Sequence, residues 1–385
     1  MGNHFRLGLT VKLASGIIMG LIYKYYYANP QADTFTYFES TLKLIDLFEN
    51  QKDVFFQVFL YDNLSQAGFF ADKRSLLFIK ILFPLVLVCN QNYWLSGIYL
   101  SFFSFYGMWR LANVFTLKFP KQKQGAILAF LYFPSVVFWS SGILKEGLVM
   151  ALLCLSLSFL FENHFFRRSF TSLKGMSKIA FISVSIYVIL VIKYYYLAVL
   201  LPVLIGYFFT DFLIEYIQKQ KLSFSFQVII FFFITFLVLI GSTFLNPNLY
   251  FSNFLQALVA NHNKMLQYSP KSLAIQFSDL EPEVFSLLKN LPLALVSGLF
   301  RPFFWECRTV FQWVMGIENF FLLIWTIQAI LNKKFNQISL LGLAGLTYIL
   351  LLAMLLAFSS PNLGTLARYK VVFLPFLVYL LSFRK

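Results

Sequence analysis

Long apolar runs separated by short polar connectors make up most of this 385-residue chain. Runs near 8–26, 124–142, 145–162, 178–193, 194–216, 226–245, 313–331, 337–357 and 370–383 approach the ~20 residues that an α-helix needs to cross hydrocarbon. Two more, 75–91 and 93–116, lie so close together that they compete for one crossing, with the other lying in the interface or re-entering. The segments 27–73 and 246–312 have apolar residues at helical spacing but no full-length run, which predicts amphipathic helices on the membrane surface. The pattern therefore predicts an all-α polytopic transmembrane helix bundle of about 10–12 spans. No internal repeat or low-complexity tract interrupts it, so residues 1–385 read as a single integral-membrane domain.

Composition agrees. The chain is 59% hydrophobic and 12% charged, with a mean hydropathy of +0.73, against about 25% charged in ordinary soluble domains. The net charge of +15 raises the possibility of nucleic-acid binding, but the basic residues are scattered among connectors, as the positive-inside rule produces. The stretches at 118–124, 165–178, 217–221, 332–334 and the C-terminal "FRK" are accordingly expected in the cytoplasm, together with Arg6 and Lys12. That leaves 27–73, 140–147, 246–312 and 358–369 on the outer face. Cys89, Cys154 and Cys307 are far apart, without the spacing of a zinc site or disulfide framework.

Four polar clusters fall on that outer face, where charges at membrane depth need a reason. Asp33 opens "DTFTYFES" with Tyr37 and Glu39; a lone carboxylate there suits a general base or a metal ligand, and equally a helix N-cap. Ser140, Ser141, Gly142, Lys145 and Glu146 join two apolar runs, either as an ordinary span boundary or as an acid and a base presented together. Arg301, Glu306, Arg308 and Glu318 lie among aromatics, fit for a phosphate clamp or an interfacial belt. Arg368, Tyr369 and Lys370 precede the last run, placing cations outside, against the usual bias, where an anionic ligand explains them better than orientation does.

The acidic residue after the first span, the "P…FWSS…LKE" ending a span and the late "RY…P" resemble the polyprenyl-phosphate-sugar-dependent glycosyltransferases of the GT-C superfamily, family 39-like, and the phrases "FPSVVFWSSGILKEG" and "RPFFWE" are similar to those of bacterial membrane proteins grouped with these enzymes. The resemblance implies an inverting hexosyl- or pentosyltransferase in the bacterial inner membrane, with both termini cytoplasmic and an active cavity on the outer face. The donor would be a polyprenyl-phosphate-linked sugar, and the acceptor a glycan, lipid or protein. Asp33 would be the base, and any divalent cation would sit beside it. Glu146 becomes a second acidic residue, while Lys145, Arg301, Glu306, Arg368, Tyr369 and Tyr37 bind substrate. The first loop departs from the family's paired acids, since Thr34 follows Asp33. Rival readings are a repeat-unit polymerase, which favours an arginine-rich loop, and a transporter or flippase, which favours broken helices in matched halves.

Overall fold

A computed structural model describes residues 2–26, 33–63, 73–162, 172–216, 222–244, 250–267, 269, 274–332 and 338–382. Among these residues there is no strand, and helices account for nearly all of the chain. The chain divides into two compact units, Met1–Tyr194 and Tyr195–Lys385. Basic connector 217–221, the C-terminal 383–385 and much of 165–178 and 332–334 lie outside the described residues.

The first unit contains α1 (Gly2–Leu21), α2 (Asp33–Asn50), α3 (Lys52–Tyr61), α4 (Lys73–Val88), α5 (Tyr93–Lys118), α6 (Lys123–Ile127), α7 (Pro134–Trp139), α8 (Lys145–Leu160) and the first half of α9 (Leu173–Tyr216). At its centre is α8, apolar all round and buried from Lys145 to Ser158, as expected of a helix with no polar face to give to water. It packs on the small-residue face of α5, where Gly107 sits against the backbone of Ala151. Small residues let helix axes approach in lipid, where close packing replaces the hydrophobic drive. The stripe Gly8, Lys12, Gly16, Gly20 gives α1 the same kind of face.

Aromatic contacts fix the two ends of this unit. Phe5 packs on Phe105 and Trp109, and Lys118 lies over Phe161. The amino end of α1 and the carboxyl ends of α5 and α8 therefore share one end. The other end holds the α7–α8 junction and the amino end of α4, about 24 Å away along sixteen residues of α8.

The structure refines the expected spans. The run 124–142 is not one continuous span. A π turn at Leu128–Tyr132 and an extended Phe133 (φ −66°, ψ 121°) break it before Pro134. The proline ring disfavours helical geometry at the preceding residue and cannot donate an amide hydrogen bond. The competing runs 75–91 and 93–116 become α4 and the 26-residue α5, bent by 116° at a break where Asn90 and Gln91 are left-handed. α2 and α3 close a small core with α4 through Leu44, Leu47, Phe55, Val58, Leu76 and Ile79.

The second unit contains the rest of α9, α10 (Phe224–Thr243), α11 (Phe251–Gln267), α12 (Val284–Phe300), α13 (Val310–Leu331), α14 (Leu340–Ser359), α15 (Leu363–Tyr369) and α16 (Leu374–Leu381). Phe233 and Phe236 are about 60% exposed on α10, the arrangement of a lipid-facing helix. The chain is a multi-pass membrane protein, with five helices long and apolar enough to span among the described residues. Segment 246–312 is only partly the expected surface stretch. α11 is amphipathic, but α12 is a 17-residue apolar helix whose Gly298 abuts the Ala353 backbone of α14. The run 370–383 is likewise not one helix, since α15 and α16 meet at a 66° bend before Pro375.

α11 straps the α14–α15 turn. Asn261 Nδ2 donates to Ser359 O at 2.7 Å, His262 Nδ1 is 2.9 Å from Phe358 O, and Ile275 N donates to Pro361 O at 2.9 Å. His262 is buried, and desolvation lowers its pKa below the usual 6.5 despite the opposing bond to Phe358. The folded state therefore favours the neutral ring. As pH falls through about 6.5 the unfolded chain takes up a proton that the folded chain resists, so stability drops.

Two outcomes follow. Unfolding midpoints in detergent should fall between pH 7 and pH 5 by more in the native chain than in His262→Gln, whose side chain does not titrate. Gly107→Ala puts a Cβ 2.6 Å from Ala151 O, and should destabilise by about 1–3 kcal/mol as overpacking does. Gly241→Ala, with nothing within 4 Å, should leave the midpoint unchanged; the same thermal series measures both.

Candidate functional site

The "SSGILKEG" junction is buried in the first unit and is reached by side chains from five helices. Gly142 adopts φ +66°, which glycine accommodates without strain, and its amide donates to Ser101 Oγ of α5 at 2.8 Å. Lys12 of α1 is 1% exposed; its ammonium donates to Ser140 Oγ and, at 3.4 Å, to Val137 O. Ser141 Oγ donates to Val137 O at 2.6 Å and Lys12 O at 3.3 Å. From sequence Lys12 is a topology-setting charge; in the structure it is an internal strut.

Lys145 and Glu146 diverge from the first turn of α8. Lys145 Nζ donates to Ser75 Oγ of α4 at 2.8 Å and lies 5.0 Å from the Tyr37 ring centroid. Glu146 is 1% exposed and pairs with Lys193 at 3.2 Å. Lys193 sits where α9 breaks, at φ −148° and ψ 60°, between the two predicted runs 178–193 and 194–216. Next in sequence to Ser75, Arg74 is exposed and stacks on Tyr194 with its guanidinium carbon 5.4 Å from the ring centroid. Asp33 begins α2 one turn before Tyr37, where its charge favours the helix amino terminus. The structure thus brings Tyr37 and Lys145 together, and adds Arg74, Ser75 and Lys193, which no motif in the sequence marks. The one sequence signal for Lys193 is a single cation inside the apolar run 179–216.

The remaining candidates belong to the second unit. Arg301 donates to both carboxylate oxygens of Glu306, through Nε at 3.1 Å and through Nη2. Phe303 N also donates to Glu306 Oε2 at 2.9 Å. The guanidinium edge expected to clamp phosphate is therefore engaged within its own loop, and the pair holds the turn between α12 and α13. Lys370, expected to meet an anionic ligand, is buried and caps the carbonyls of Leu299 and Arg301 at 3.0 and 2.6 Å. Arg368 lies over Tyr369, whose ring is 5.9 Å from Tyr195 and whose carbonyl accepts from Tyr196 Oη at 3.3 Å. Among the described residues, no three His, Cys, Asp or Glu side chains gather as metal ligands.

Removing one member of a buried ion pair leaves its partner's charge uncompensated, typically at about 3–5 kcal/mol. Glu146→Gln should lower stability on that scale, and adding Lys193→Met should recover much of the loss; a double-mutant cycle on denaturation midpoints measures it. In comparisons with known proteins, no family model matches the chain, and neither a curated protein nor a solved structure does.

Proposed function

We propose that the protein transfers a sugar from a polyprenyl-phosphate donor to a glycan, lipid or protein acceptor, in bacterial surface-glycan synthesis at the outer face of the inner membrane. The observation that carries this reading is the gathering of Tyr37, Lys145 and Ser75, with Glu146–Lys193 beside them, at one end of a buried helix. Charges at that depth are expensive and mark functional sites by default. A ligand whose tail lies in the bilayer and whose phosphate sits near the surface suits cations held at that level.

In this reaction Asp33 takes the proton from the acceptor hydroxyl. The acceptor oxygen forms a bond to the anomeric carbon from the face opposite the phosphate. The bond from that carbon to the phosphate oxygen breaks with its electron pair, which leaves polyprenyl phosphate and an inverted configuration. Lys145 and Arg74 stabilise the charge on the departing phosphate, the kind of preorganised electrostatics that lowers barriers most. Glu146 holds Lys193 and the amino end of α8 in place and accepts no proton. Arg368 and Tyr369 are further candidates for binding the donor.

A lipid flippase or transporter is the second reading. It is favoured by broken apolar helices in both units, before Pro134 and before Pro375, since discontinuous helices line many transport sites.

Purified protein in proteoliposomes with radiolabelled polyprenyl-phosphate sugars separates the two. Transfer to acceptor is expected for the native chain, with Asp33→Asn reduced at least a hundredfold, the scale of a lost general base. Arg368→Gln should raise the donor KM. Label crossing the bilayer with no new glycosidic bond would replace the transferase reading by the flippase reading, and equal transfer by Asp33→Asn would remove Asp33 from the mechanism.

A further inference from the structure

A second charged cluster sits at the opposite end of α8, and the proposed transfer does not use it. One carboxylate oxygen of Glu162 accepts from Arg110 of α5, and the other accepts from Lys178 of α9. Both cations also lie against the same ring, 5.5 and 5.3 Å from the Phe159 centroid. Lys118, at the end of α5, is 5.8 Å from the centroid of Phe161.

Both oxygens of Glu162 are thus engaged by cations from two helices, and Lys118 lies against the neighbouring Phe161. Lys121 and Lys123 follow α5 and are exposed, as is Lys174, one turn before Lys178. The sequence offers little to neutralise them. It has no acidic residue from 73 to 145, and Glu162 stands alone between 147 and 210. Apolar side chains accompany the cations along the chain: Leu117, Leu173 and Met176 are all more than half exposed.

Orientation rules account for a basic connector on one side of the membrane. They do not account for cations pinned on aromatic rings between helices, with exposed aliphatic side chains alongside. Basic pockets between spans recognise anionic headgroups in this way, with the phosphodiester meeting the cations and the acyl chains lying along apolar surface. We infer that this end of the first unit binds an anionic phospholipid of the phosphatidylglycerol kind from the adjoining leaflet. The inference is independent of the glycosyl-transfer reading.

Native mass spectrometry of the full chain, released from nanodiscs of equal phosphatidylglycerol and phosphatidylcholine, tests it. Phosphatidylglycerol should remain bound after phosphatidylcholine has been stripped. Lys118→Ala with Lys174→Ala should weaken its retention by about fivefold for each lysine removed. Glu162→Gln, which deletes the competing carboxylate, should retain at least as much lipid as the native chain. A second pair, Lys121→Ala with Lys123→Ala, serves if the first does not fold, and should show the same loss. Equal retention of the two lipids, or undiminished retention in a folded double variant, overturns the proposal. So does displacement of the lipid by millimolar glycerol phosphate, which would mark a site for a soluble phosphate.

Discussion

The first unit depends on one constraint. A helix that is buried on every side, α8, must present the charged groups of its first turn, Lys145 and Glu146, to partners, because little water reaches them. Glu162, which is half-buried, follows its other end. Each end recruits side chains from neighbouring helices: Ser75, Tyr37 and Lys193 at one, Arg110 and Lys178 at the other. An isolated ion in hydrocarbon is far costlier than a packed one. These pairings therefore select the helix arrangement as well as decorating it.

The same constraint explains the irregular stretches. Lys12 would be untenable in the middle of a lipid-facing helix. It is accommodated because α1 turns its glycine stripe inward and the α7–α8 turn offers Ser140 and a carbonyl. That turn needs a left-handed residue, which Gly142 supplies, and a helix that stops early, which Pro134 helps to enforce. The break in α9 at Lys193 has a comparable logic, since a side chain leaving a helix at a break is the one that reaches Glu146. Unsatisfied backbone at membrane depth is tolerated where protein surrounds it.

In the second unit the cations serve the fold before any ligand. Lys370 caps the last carbonyls at the carboxyl end of α12, and the Arg301–Glu306 pair shapes the turn that follows. Arg368 lies over Tyr369, whose ring is beside Tyr195. A cation that looks misplaced by orientation rules can thus be answered by carbonyls as well as by an anionic ligand.

Hydropathy alone determined that this chain is a helical membrane protein, and placed α10, α13 and α14 to within a few residues, because a run of apolar side chains near the bilayer's thickness has few other uses. The polar residues at the α7–α8 junction could be read as special for the same reason, since charge amid grease is conspicuous. Their partners were not legible. Ser75, Arg74 and Lys193 come from distant stretches and converge only once α4, α8 and α9 have packed. The sequence could not distinguish a carboxylate held by a lysine from one offered to a substrate, nor a run broken at Pro134 from a continuous span. Those distinctions are made by packing, which brings residues far apart in the chain within hydrogen-bonding distance and decides which charges are already answered.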